Sequence, residues 1–122
     1  MPHILLVDDN KYLLQAVTRA LQTANPQWCI TAASTIEEAD VALQSLDQEY
    51  GRIEVVATDL VIGNDADAGM KVLEASKERD PLIEVILFTS YENALDRRAA
   101  FSFGAYDCLS KTIPGIHYRT LF

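Results

Sequence analysis

Three stretches of this chain are nearly unbroken apolar runs: HILLV at 3–7, IEVVAT at 53–58 and IEVILF at 83–88. A strand with one face in water alternates apolar and polar residues. A continuous run is what a strand carries when both faces are buried, as in parallel sheets covered by helices on each side. The segments between the runs have helical rather than strand periodicity. Leu13, Leu14, Val17, Ala20, Leu21 and Ala24 share one face of a helix over 10–24, with Asn10 or Asp9 as N-cap and Asn25-Pro26 as its stop.

The same alternation continues along the chain. WCITAA at 28–33 is a second strand. Ser34 or Thr35 then begins a helix to about residue 48, with capping-box spacing from Ser34 to Glu37 and from Thr35 to Glu38. A helix over 69–79 stops at Asp80-Pro81, and another over 92–104 ends at Gly104. AYDCLSK at 105–111 is a short fifth strand, and the remainder, TIPGIHYRTLF, starts a last helix that is cut short. Five βα units of this kind predict an α/β fold, an open parallel sheet wound with helices on both faces.

A length of 122 residues suits one domain spanning 1–122. The net charge of −8 argues against direct nucleic-acid binding, which needs a basic face. It suits a cation site or a basic partner. Cys29 and Cys108 sit far apart inside apolar runs, as buried free thiols of a reducing compartment do. No run is long enough to span a membrane and the N-terminus carries no signal, so the expected location is cytoplasmic, without a membrane partner.

In such sheets ligands bind beyond the carboxyl ends of the strands. Asp8 and Asp9 follow strand 1, Asp59 follows strand 3, Thr89 and Ser90 follow strand 4, and Lys111 follows strand 5. Taken singly, each has an ordinary explanation as a helix cap or a solvated loop residue. Together they bring three acids, two hydroxyls and an ammonium to one edge. Like charges raise each other's pKa unless a cation lies between them. Clustered oxygen ligands suit a hard divalent ion, Mg²⁺ or Mn²⁺. One aspartate could then attack phosphorus to form an acyl phosphate, with Lys111 and the Thr89 hydroxyl holding the phosphoryl oxygens.

LLVDDN, VVATDL, LFTS and GAYDCLSK together resemble the response regulator receiver domain of two-component signalling, in order and over essentially the whole chain. The resemblance implies a doubly wound, flavodoxin-like three-layer sandwich with a five-stranded parallel sheet in the order 2-1-3-4-5. It implies Asp59 as phosphoacceptor, and Asp8, Asp9, Asp59 and the backbone carbonyl of Val61 as metal ligands. Thr89 becomes the switch hydroxyl and Lys111 the phosphoryl contact. The implied partners are a sensor histidine kinase or phosphotransfer protein and a downstream effector domain or protein. A homodimer is left open. The domain would catalyse only its own phosphorylation and dephosphorylation, so it is not an enzyme in the turnover sense.

Four departures mark this sequence. Cys108 stands where receivers usually carry an aromatic switch residue, and Tyr106, two residues earlier, is the candidate substitute. Thr112 replaces the usual proline after the lysine, so a trans bond with a shifted loop, or else a rare strained cis bond, is expected there. The loop IGNDADAG holds about two extra residues and two extra acids, Asp65 and Asp67, and reads first as a harmless surface insertion. The fifth helix is short, as in a receiver cut from a longer chain. A protein-binding pseudo-receiver that is never phosphorylated stays open beside the active one. An aspartate-nucleophile phosphatase fits less well, because its Asp-x-Asp is absent from VDDNKY.

Overall fold

The computed structural model describes residues 2–50, 52–89, 101–102 and 104–110, with backbone alone for 45–50, 89 and 108–110. The elements run β1 (His3–Val7), α1 (Lys11–Ala24), β2 (Cys29–Ala33), α2 (Ile36–Tyr50), β3 (Val55–Asp59), α3 (Ala68–Arg79), β4 (Glu84–Thr89) and β5 (Asp107–Ser110). All strand pairs are parallel and form one five-stranded sheet in the order β2-β1-β3-β4-β5. The flavodoxin-like α/β expectation is met. The expected helix at 92–104 falls almost wholly outside the described residues. So do the last helix and the bond before Thr112.

The apolar runs are continuous because successive residues serve two different layers. Leu5, Val7, Val56, Val85 and Leu87 face α2 and α3, where they meet Ala39, Leu43, Val72 and Leu73. Ile4, Leu6, Ala57, Ile86 and Phe88 face the opposite side and meet Leu14, Val17 and Leu21 of α1. Helices on both faces of one sheet make three layers. β2 is an edge strand, and Cys29 at its start is half-buried rather than buried. The side chain of Cys108, within β5, lies outside the described residues.

Local chemistry fixes the helix starts. The Asn10 side chain accepts from the Leu13 N–H at 3.1 Å and caps α1. Thr35 caps α2 in the same way, its Oγ1 accepting from the Glu38 N–H at 3.0 Å. Glu38 reaches back to the Ser34 N–H at 2.7 Å, one residue beyond the usual capping-box partner. Among the described residues, no helix is long and apolar enough to cross a membrane.

Candidate functional site

The chain passes from β1 to β2 on one side and returns across β1 to β3, so strand order reverses between β1 and β3. A crevice opens at the carboxyl ends of strands at such a reversal. The register aligns Val7 with Thr58, so the next residues, Asp8 just past β1 and Asp59 at the end of β3, lie at the same level. An oxygen from each of Asp8, Asp9 and Asp59 lies within 4.8 Å of the others. Three acids from two loops therefore meet at one point. Sheet register sets their position, and no local sequence motif is needed.

The three carboxylates differ in setting. Asp8 is 3% exposed, Asp59 is half-buried and Asp9 is exposed. Backbone N–H groups orient each of them. The Asn10 N–H donates to Asp8 Oδ1 at 2.9 Å, closing a turn that leads into α1. The Val61 N–H donates to Asp59 Oδ1 at a long 3.4 Å. The Gly63 N–H donates to Asp9 Oδ2 at 2.9 Å. This all-oxygen donor set suits Mg²⁺ or Mn²⁺ and is a poor match for softer metals.

Asp59 is the last residue of β3, held from beneath as well as by its sheet partners. The Leu60 N–H donates to the Phe88 carbonyl at 2.8 Å, and the Gly69 N–H donates to the Leu60 carbonyl at 2.9 Å. A Cβ at position 69 would sit 2.5 Å from the Asp59 carbonyl oxygen and 2.7 Å from Leu60 Cα. Only glycine lets α3 begin this close beneath the aspartate. Gly69 lies ten residues after Asp59 in the chain.

The other expected site residues are less closely drawn. Thr89 ends β4 opposite Ser110, the last residue of β5. The Thr89 side chain and all of Lys111 lie outside the described residues. Tyr106 is 65% exposed and precedes β5 by one residue, where the Tyr106 N–H donates to the Val85 carbonyl at 2.7 Å. Val61 is 41% exposed beside Asp59. An open groove of about 710 Å³ runs past Asp9 between Thr35–Glu37 and Ile62–Ala66 and gives solvent and partners a way to the acids.

Sequence reading missed the donor from Gly63. A backbone N–H has no residue signature, and the only hint was a Gly-Asn pair, a common hairpin tip.

The sequence matches the response regulator receiver domain family over residues 4–119. It is 32% identical over 108 residues to the photosynthetic apparatus regulatory protein RegA of Rhodobacter capsulatus, covering 88% of this chain and 54% of RegA. It is 27% identical over 111 residues to the methanol utilization control regulatory protein MoxX of Paracoccus denitrificans, covering 91% of this chain and 47% of MoxX. The chain thus spans about half the length of these curated relatives. Among solved structures, a response regulator receiver domain protein from Clostridium thermocellum superposes with a TM-score of 0.78 at 25% identity, covering 99% of this chain and 88% of that one. A response regulator from Burkholderia pseudomallei, solved with a phosphorylated aspartic acid, a calcium ion and citrate, gives a TM-score of 0.79 at 21% identity over 98% of this chain and 65% of its own.

Proposed function

The chain belongs to the response regulator receiver family, and from that membership we propose that it is a phosphoacceptor whose Asp59 takes a phosphoryl group from a phosphohistidine. The donor is a sensor histidine kinase or a phosphotransfer protein. The meeting of three carboxylates at the β1–β3 reversal carries this reading.

In the proposed reaction an Asp59 carboxylate oxygen attacks phosphorus. The new O–P bond forms as the P–N bond breaks, and the P–N electron pair returns to the imidazole, which takes up a proton. Asp59 then carries an acyl phosphate. Asp9, Asp59 and the Val61 carbonyl, with Asp8 alongside, would hold Mg²⁺ or Mn²⁺. When bound, the ion supplies positive charge against the phosphoryl oxygens. Asp8 is kept in place by the Asn10 N–H, and Gly69 keeps the Asp59 backbone seated. Lys111 pairs with the phosphoryl group and Thr89 donates its hydroxyl to it. That movement of Thr89 shifts a two-state equilibrium at the surface around β5, which an effector domain or protein reads. Tyr106, exposed at the start of β5, takes part of the aromatic role that Cys108 cannot fill.

The whole of 1–122 is then one receiver, joined in a longer cytoplasmic protein to an output that reads its state. It catalyses only its own phosphorylation and dephosphorylation.

Incubation with Mg²⁺ and acetyl phosphate tests this. Intact-mass measurement is expected to show one added phosphoryl group, reduced to background in Asp59→Asn, whose amide is no nucleophile for phosphorus. An inert wild-type protein would instead point to a pseudo-receiver that binds partners without modification. Steady turnover of a phosphomonoester would point to a phosphatase.

A further inference from the structure

The loop between β3 and α3 exceeds the receiver pattern by about two residues, as a neutral surface insertion would. Its geometry is more specific than that. Ile62 and Asp65 exchange both backbone hydrogen bonds at 3.1 Å, closing a two-residue hairpin with Gly63 and Asn64 at the tip. Gly63 has φ of 61°, whereas Asn64, like every other non-glycine residue described, does not have positive φ. A positive first and negative second tip residue is the type II′ arrangement, which calls for glycine at the first place. The base of the hairpin is tied down as well. Asp65 Oδ1 accepts from the Asp67 N–H at 2.9 Å, and Asp65 Oδ2 accepts from Lys71 Nζ at 2.5 Å.

This hairpin aims the Gly63 N–H at Asp9 Oδ2, across 54 residues of sequence. Asp9 is the exposed member of the acidic trio, the one whose carboxylate has most rotational freedom to lose on binding an ion. Carboxylate ligands are usually held by hydrogen bonds from surrounding groups, and loss of such a bond weakens metal binding by roughly ten- to a hundredfold.

We propose that the Gly63 N–H is a positioning group: the hairpin at 62–65 fixes the Asp9 carboxylate against Asp8 and Asp59 and so sets the divalent-ion affinity of the pocket. This rests on the phosphoacceptor reading above. The extra loop residues are then part of the site.

Gly63→Val and Asn64→Ala separate the positive-φ position of the hairpin from its neighbour at the tip. A Cβ at position 63 meets nothing within 4 Å, so the expected effect of Gly63→Val comes from the backbone and not from a clash at Cβ. Gly63 has φ of 61° in a turn position that calls for glycine, whereas position 64 does not have positive φ and accepts an L residue such as alanine. Mn²⁺ titration followed by electron paramagnetic resonance is expected to give about tenfold weaker binding for Gly63→Val and wild-type binding for Asn64→Ala. Hydrogen exchange at the Gly63 amide, measured without any divalent ion, is expected to quicken in Asp9→Ala. That second measurement stands even if Gly63→Val folds poorly.

Wild-type affinity in Gly63→Val, an equal loss in Asn64→Ala, or unchanged Gly63 exchange in Asp9→Ala would each overturn the proposal. Any of these with normal Mn²⁺ binding by the wild type would leave the phosphoacceptor reading intact. A wild-type protein that binds no Mn²⁺ would overturn both.

Discussion

The two ends of the sheet handle charge in opposite ways. At the amino ends of β3 and β4, cations and anions are matched within the chain. Arg52 Nε lies 2.7 Å from Asp80 Oδ2, and Lys77 Nζ donates to the Ile83 carbonyl at 2.6 Å. Asp80 Oδ1 also accepts from the Leu82 N–H at 2.9 Å. At the carboxyl ends three carboxylates are brought together, each oriented by a backbone N–H from Asn10, Val61 or Gly63. Ion pairing at one end closes the connection between α3 and β4. Amide donation at the other fixes carboxylate direction while adding no formal charge. The first arrangement serves the fold. The second gathers negative charge that suits a divalent cation and a phosphoryl group.

The largest test of this contrast is Gly69→Ala. The added methyl would meet backbone atoms of Asp59 and Leu60, which cannot rotate aside. Overpacking of this kind costs roughly 3 kcal/mol. A fall of roughly 10 °C in the melting temperature is expected for a domain of this size. Because the displaced atom belongs to Asp59, phosphoryl incorporation should fall too, even well below the melting temperature. Unchanged incorporation in a destabilised variant would show that the aspartate does not depend on the close approach of α3.

Addition of Mg²⁺ comes next. An ion that binds only the folded protein stabilises it by about 2.7 kcal/mol at a hundred times its dissociation constant. The melting temperature should therefore rise with Mg²⁺, and Asp9→Ala should abolish most of the rise. Na⁺ at equal ionic strength separates site binding from screening. An equal rise in Asp9→Ala would mean that general screening of the −8 net charge, and not the acidic trio, is responsible.

Much of this layout was legible because the residues that end apolar runs are also the ones that leave the sheet. Asp8 and Asp59 could be placed at one edge from the runs HILLV and VVAT, and the register then levels them. Boundaries slipped where burial and strand pairing part company. Ile53 is fully buried, as the apolar pattern required, yet β3 begins only at Val55. The hairpin at 62–65 was written in the sequence as Gly63-Asn64, but its target was not. The Gly63 bond to Asp9 exists only once β1 and β3 lie side by side.

The smallest expected effect lies at the opposite end, where Arg52→Ala removes one partner of an exposed pair. The Leu82 N–H, first, and the Arg52 guanidinium, second among favourable contacts, hold the Asp80 carboxyl below its ordinary range. Lys71, followed by the Asp67 N–H, does the same for Asp65. A carboxyl with a depressed folded-state pKa adds stability above its unfolded pKa, about 3.9, and loses it as pH falls through the folded value. Acid denaturation curves should therefore show these contributions disappearing only below about pH 4. In Arg52→Ala the Asp80 carboxyl, followed by NMR, is expected to titrate at higher pH than in the wild type. It should still titrate below an unperturbed aspartate, because the Leu82 N–H stays. Stability at neutral pH should barely change, since exposed pairs contribute little and are screened by salt. A large loss there would mean that Arg52 organises the α3–β4 connection through more than its charge, and the contrast between the two ends would need redrawing.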